Sequence, residues 1–457
     1  MRGAIAAGNP HTAEAGAWAL REGGTAVDAA VAATLAAFVT EGPLSGPAGG
    51  GFALLHEPGR GATVLDFFFA VPARGVEEME EIEIDFVGSS TQIFHVGEAS
   101  VAVPGLVAGL VEGHARRGRL PWDRLFVPAM QLAERPLAAS AAQAYLHEIL
   151  ALILQREDGG RRVYGIPGHV DARDLLPALR LLQQAPGEAL ALLLPDLAED
   201  LQAYVVEERA PLECEFAGSS VLSTPPPSRG GAIVETGLAD LNDRPEDPTG
   251  LPAEARSLAA ALAAGYEIAG PGAAAGHKPT GTTHVSVVDS DGAAVGLSST
   301  LGSGSGVFRH GFQLNNMLGE LDVIGTEERK PGARLPSMMT PTLVLDDGRP
   351  RLVLGSAGSV RLAGAILQVV AAVARQGLPV EDAVARPRLH VDRGVVHVEG
   401  GWADGVAGAL AGDGWEVVQW TDRNLFFGGV SAVERRPNGS LGAAGDPRRG
   451  GHGVVVR

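Results

Sequence analysis

The order of patterns along the chain predicts a layered α/β protein in which helices cover both faces of antiparallel sheets. Two observations carry this expectation. The first half is dominated by apolar residues at helical spacing, and beyond Gly281 strand-like runs come in pairs around Asp/Gly turns. A chain of 457 residues with 45% hydrophobic content can bury one large core or two ordinary ones.

Taken in order, residues 13–39 read as two Ala-rich helices separated by Gly23-Gly24, the second opened by Thr25 with Asp28 three residues on, a capping box. Gly46-Pro47-Ala48-Gly49-Gly50-Gly51 then leads into two buried strands, Phe52–His56 and Ala62–Phe67, joined by a Pro-Gly turn. That glycine run suggests close backbone approach. It is no phosphate loop, because it lacks the Gly-Lys-Ser/Thr ending and precedes a strand. Pro104 to Leu201 is mainly helical scaffold, with helices over Gly105–Arg117 and Asp123–Glu134. Pro225-Pro226-Pro227-Ser228-Arg229-Gly230-Gly231 marks a stiff turn, and Asp240 to Pro252 is a loop rich in Asp, Pro and Gly. A helix over Pro252–Tyr266 precedes a Gly/Ala/Pro stretch, 270–281. Next come two hairpins. Thr282–Val288 pairs with Ala293–Ser299 around Asp289-Ser290-Asp291-Gly292, and Pro341–Leu345 pairs with Arg351–Leu354 around Asp346-Asp347-Gly348. Gly355-Ser356-Ala357-Gly358-Ser359 leads to a helix from Arg361 to Gln376, stopped by Gly377. Asn438-Gly439-Ser440 matches a glycosylation sequon and is read as a hairpin turn.

Composition excludes several classes. A net charge of −18, from 36 basic against 54 acidic residues, gives no footprint for gripping nucleic acid. Cys214 is the only cysteine, so an intrachain disulfide, a thiolate cluster and a Cys-X-X-Cys redox pair are all ruled out. The histidines are scattered without the paired spacing that suits zinc, and neither a metal nor another cofactor is expected. The start reaches Pro10 before an apolar core of signal-peptide length, and the longest apolar run, 29–39, is far short of the roughly 20 residues that span a bilayer. The expectation is a soluble, cytoplasmic protein without a membrane partner.

The bond between Gly281 and Thr282 stands out. An interior threonine hydroxyl is a poor nucleophile, but an N-terminal one carries its own general base, an α-amino group of reference pKa roughly 7.7 to 8.0. Cleavage there would create a catalytic centre without a triad. Gly281 leaves the preceding carbonyl open to Thr282 Oγ1 and is expected to tolerate a strained backbone.

With Asn9-Pro10-His11, Gly24-Thr25-Ala26-Val27-Asp28, Gly49-Gly50-Gly51-Phe52, Val103-Pro104-Gly105, Thr224-Pro225-Pro226-Pro227, Thr282-Thr283-His284, Leu314-Asn315-Asn316, Gly355-Ser356 and Asp446-Pro447-Arg448, the chain resembles a γ-glutamyltranspeptidase of the N-terminal nucleophile hydrolase superfamily over nearly its whole length. The resemblance implies a four-layered αββα fold and a precursor that cleaves itself into a heavy part, 1–281, and a light part, 282–457, interleaved in one domain. Thr282 would be the nucleophile and Thr300 the threonine that orients or activates it. Gly358 and Ser359 would supply the oxyanion-hole N–H groups. Glu320 would pair with the substrate's amino group, and Ser337 would hydrogen-bond its carboxylate. Leu314-Asn315-Asn316 places Asn316 beside the binding residues. Pairing of processed heterodimers is a family-level expectation, and family members are often exported.

The chain departs from the family in its binding pocket. Phe68 stands where the family has an arginine that clamps the α-carboxylate of the glutamyl group, Gly302 replaces an asparagine, Met317 a glutamine and Met338 a serine. Lost charged hydrogen bonds cost about 1.5 to 3 kcal/mol each. Three readings follow. Thr282 attacks a γ-glutamyl amide such as glutathione, passing the acyl group to water or an amino acid. Alternatively the same chemistry serves an acyl group without a free α-carboxylate. In the third, the chain binds a small molecule without turning it over. His284, next to the nucleophile, is read as a packing or hydrogen-bonding residue.

Overall fold

Two antiparallel sheets stack at the centre of the computed structural model, which describes residues 2–86, 90–244, 251–268, 281–327 and 329–457. The first sheet runs in the order His452–Val456, Gly3–Ala7, Gly281–Asp289, Ala294–Gly302, Gly50–Glu57, Gly61–Phe67, Glu207–Arg209. The second runs Leu441–Gly445, Gly429–Arg435, Arg349–Ala357, Thr342–Asp346, Ser219–Ser223, Leu212–Phe216. Helices Pro10–Arg21, Ala26–Thr40 and Leu106–Arg117 cover the outer face of the first sheet. Gly230–Asn242, Leu251–Ile268 and Leu362–Val370 form the layer outside the second. The architecture is therefore four layers, αββα, and both sheets draw strands from either side of Gly281.

Period-2 alternation sorts each central strand between two cores. Ile5, Ala53, Leu55, Val285 and Val287 face the Ala-rich helices, while Ala4, Ala6, Phe52 and Leu54 face the second sheet. On Gly281–Asp289 the face turned to the second sheet is polar instead. The His284 ring lies over Gly355, where a Cβ would come within 2.3 Å of it, and Ser286 donates to Ser431 O at 2.9 Å. This polar strip runs through the sheet interface and ends at Thr282.

Most expected elements form. The capping box is present, with Asp28 N donating to Thr25 Oγ1 at 3.2 Å and Thr25 N to Asp28 Oδ2 at 2.8 Å. The glycine run does allow close approach, since a Cβ on Gly51 would sit 2.1 Å from Ser298 O. Both hairpins form, and Asn438-Gly439-Ser440 turns between Gly429–Arg435 and Leu441–Gly445. The expected helix from Arg361 to Gln376 is shorter. It is regular over Leu362–Val370 and widens into a π-turn over Ala371–Arg375, from which Arg375 donates to the carbonyls of Leu241 and Arg244, both at 2.6 Å. The helix expected over 123–134 opens as a tight turn, Trp122–Phe126, before Val127–Ala133. The stretch 270–280 and residues 245–250 of the Asp240–Pro252 loop lie outside the described residues.

Candidate active site

Thr282 and Thr300 face each other across neighbouring strands, in register, beside a β-irregularity between Gly281 and Thr282. They open into a narrow cleft that is also lined by Phe68, Gly302, Met317, Glu320, Ser337, Met338 and Ser359. The structure thus gathers nine residues singled out in the sequence around one hollow. Val323, Met339 and Leu362, which the sequence patterns did not mark, add to its apolar wall.

One hydroxyl organises the intact Gly281–Thr282 bond. Thr300 Oγ1 donates to the Gly281 carbonyl and accepts from Gly302 N at 2.9 Å. Its proton is therefore directed onto the carbonyl that Thr282 would attack. Gly281 is required here for space: a Cβ would lie 2.5 Å from Pro43 O and 2.7 Å from Gly302 O. The left-handed backbone belongs to Gly302 instead, at φ +69°, where a Cβ would meet Asn316 Oδ1 at 2.3 Å. A side chain at position 302 would thus be strained and crowded, while the Gly302 N–H fixes Thr300.

Gly358 and Ser359 sit where the strand Arg349–Ala357 turns towards the helix Leu362–Val370. Both have positive φ, +138° and +57°. Gly358 packs against Gly428, where a Cβ would come within 2.9 Å of its Cα, while Ser359 reaches the cleft wall. Neither N–H appears in the turn and loop hydrogen bonds of the described residues. An N–H pair at such a turn is a natural donor to a developing oxyanion.

At the far side of the cleft, Glu320 is buried. Its Oε1 accepts from Ser303 N at 2.8 Å, while Oε2 has no partner among the described residues. Ser337 Oγ accepts from Met339 N at 3.1 Å, which leaves its proton available to a ligand. Asn316 does not line the cleft. Its Oδ1 gathers Ser303 N and Gly304 N at 2.7 and 3.0 Å, so it braces the loop that presents Glu320. Phe68 stacks on Phe52 at 5.3 Å and meets Phe69 edge-on at 4.9 Å. Arg334 approaches from behind, but its guanidinium is committed to the carbonyls of Phe68 and Val205. Among the described lining residues there is no arginine or lysine.

Below Thr282, His284 is enclosed between Ser298 Oγ at 2.8 Å and Ser286 Oγ at 2.9 Å. Because Ser286 spends its proton on Ser431 O, it accepts from His284 Nε2–H, and Nδ1 accepts from Ser298. Burial pushes His284 down to about 3, so it stays neutral and structural. On the opposite face Thr283 donates to Glu41 Oε2 at 2.6 Å, and Thr12 donates to Glu41 Oε1 at 2.6 Å. Burial raises the Glu41 pKa, and these two hydrogen bonds oppose the shift. Glu41 carries no local sequence signal, because its partners lie 29 and 242 positions away.

Among the described residues no His/Cys/Asp/Glu group is arranged to hold a metal ion, and no helix is long and apolar enough to cross a membrane.

Comparison with known proteins follows the same lines. Residues 12–170 and 252–456 match the family described as Gamma-glutamyltranspeptidase. The chain is 29% identical to the glutathione hydrolase proenzyme of Pseudomonas aeruginosa, over 100% of this chain and 95% of that protein. It is 27% identical to the acylase ACY 1 proenzyme of Pseudomonas sp. strain SE83, over 100% and 94%. The fold matches the crystal structure of cephalosporin acylase from Bacillus halodurans with a TM-score of 0.86 at 20% identity, covering 99% of this chain and 95% of that one. With a family match over most of its length, a threonine pair at one cleft and an αββα fold, the chain belongs to the gamma-glutamyltranspeptidase family.

Proposed function

We propose that the chain is a self-processing amide hydrolase or acyltransferase whose acyl group carries an amino group but no free α-carboxylate. Cleavage at Gly281–Thr282 gives parts 1–281 and 282–457. Thr282 Oγ1 then adds to the substrate carbonyl while the α-amino group takes its proton. The N–H groups of Gly358 and Ser359 receive the oxyanion, and the C–N bond breaks as the amine leaves with the proton. Water or another amine resolves the ester. Thr300, released from the Gly281 carbonyl, orients the new nucleophile.

The observation that carries this choice is the cleft wall: Phe68, Met317, Met338, Met339, Val323 and Leu362, with the Oε2 of Glu320 as its unpartnered polar atom. Glu320 suits an ammonium group. An α-carboxylate would enter without a cation, forfeiting about 1.5 to 3 kcal/mol per charged hydrogen bond. The γ-glutamyl reading draws on Ser337, whose free proton could meet a carboxylate, and on the glutathione hydrolase relatives. Two anilides that differ only in that carboxylate separate the two readings. 4-Aminobutanoyl 4-nitroanilide is expected to be cleaved with higher kcat/KM than γ-glutamyl 4-nitroanilide, and a strong preference for the glutamyl compound would overturn the proposal.

A further inference from the structure

Gln313 is a polar side chain in an apolar place. It ends the short strand Phe312–Gln313, is only 2% exposed, and neither Nε2 nor Oε1 of its amide has a hydrogen-bond partner among the described residues. An amide buried without partners costs stability, and most buried polar groups are satisfied by protein or by ordered water. Gln313 borders a small cavity of about 10 Å³, with Phe38, Val39, Val163 and Val170 among its apolar walls. This cavity shares no described lining residue with the cleft at Thr282.

Two more polar groups border the same cavity. Tyr164, at the end of the helix Asp158–Tyr164, is 5% exposed, and its hydroxyl makes no hydrogen bond among the described residues. Burial raises its phenol, so the hydroxyl keeps its proton. It comes so close to Gly42 that a Cβ there would lie 2.3 Å from it. Ser45 Oγ stands 2.8 Å from Ser299 Oγ, and since only one of their two protons can lie between them, one hydroxyl proton is spare. The cavity thus brings together an amide donor, an amide acceptor and two hydroxyls, with no charged side chain among its described lining residues. A cation would leave the amide N–H groups unmet, and an anion would leave the amide oxygen unmet. A molecule that both donates and accepts meets all of them, and the volume is about what one water needs.

We propose that this cavity is the site of one structural water, bound by the Gln313 amide, the Tyr164 hydroxyl and the Ser45 hydroxyl. The water joins three segments that are distant in sequence: the turn after the helix Ala26–Thr40, the helix Asp158–Tyr164 and the strand Phe312–Gln313. It also backs the candidate active site. The Gln313 amide packs directly against Gly304, where a Cβ would meet Nε2 at 2.2 Å. Gly304 belongs to the turn whose Gly302 N holds Thr300 and whose Ser303 N holds Glu320. Through Ser299, Ser45 ties the same water to the strand that carries Thr300.

Two measurements on the full-length Thr282→Ala chain test the site, so neither depends on processing. A high-resolution crystal structure should show one ordered peak within about 2.7 to 3.2 Å of both the Gln313 amide and the Tyr164 hydroxyl. A dry cavity, or a Gln313 amide turned to a protein partner, overturns the site. The second measurement is the melting temperature of Gln313→Met, which keeps the length of the side chain and removes its polar atoms. With the water bound, this variant loses hydrogen bonds and leaves the Tyr164 hydroxyl short of one. Its melting temperature should then fall by about 1 to 3 °C, the scale of one unmet buried group in a chain of this length. Without the water, the substitution removes an unmet amide and the melting temperature holds or rises, which overturns the proposal. Tyr164→Phe should fall likewise, and the double variant should fall no further than the lower single, because both lose the same water. Falls that add in full would mean that the two side chains act separately, and the bridge would be overturned. Should Gln313→Met fail to fold, Tyr164→Phe decides by the same sign.

Discussion

On the proposed reading, the Thr300 side chain serves two stages. In the intact chain its hydroxyl is held by Gly302 N and aimed at the Gly281 carbonyl. Thr300→Val should therefore slow processing about 100-fold or more, the usual cost of losing one oxyanion donor, while Thr300→Ser should keep most of the rate, both followed as fragment formation on a denaturing gel. Gly281→Ala should block processing for a steric reason, because its Cβ would lie 2.5 Å from Pro43 O. The pH profile of the processed protein should rise with pH towards the α-amino range of roughly 7.7 to 8.0. His284 cannot produce such a limb, since it is neutral down to about 3. At this scale the sequence singled out Thr282 through Thr-Thr-His, and Thr300, Ser359, Glu320, Met317 and Met338 through their places in the family resemblance, and all six line one cleft. Glu41 was illegible, because its partners Thr12 and Thr283 lie far away in the chain.

The polar strand Gly281–Asp289 is the element on which the site depends. Its inner face replaces apolar packing with Thr282, His284 and Ser286, which is tolerable because each His284 nitrogen is satisfied. The neutral imidazole sets an acid limit on stability. A folded pKa near 3 against an unfolded one near 6.5 means the unfolded state binds a proton first, so stability is complete above about 6.5 and falls as the pH drops from there towards 3. Melting temperatures from pH 7 to 4 should fall less steeply in His284→Gln than in wild type. Both central hairpins were legible because Asp/Gly turns punctuate them. The strands Gly3–Ala7 and His452–Val456 were not, for they are short, one is Ala-rich, and each pairs only with a partner remote in sequence. The helix from Arg361 was over-extended in the sequence reading, since apolar spacing continues smoothly through the π-turn.

At the scale of the whole molecule, Gly281–Asp289 and Ala294–Gly302 lie between Gly3–Ala7 and Gly50–Glu57 in one sheet, and Ser219–Ser223 pairs with Thr342–Asp346 in the other. Cutting before Thr282 would leave the two parts sharing both sheets and both cores. They should co-elute in native gel filtration and separate only in denaturant. Helix-rich and hairpin-rich halves were visible in the residue patterns, whereas their interleaving came only from the family resemblance, because sheet order is set by contacts between distant strands. The most direct measurement is intact mass and N-terminal sequence of the purified protein beside Thr282→Ala. The account predicts two wild-type fragments, one beginning Thr282-Thr283-His284, and a single full-length variant. A wild-type chain that stays whole, or is cut at another bond, would contradict it.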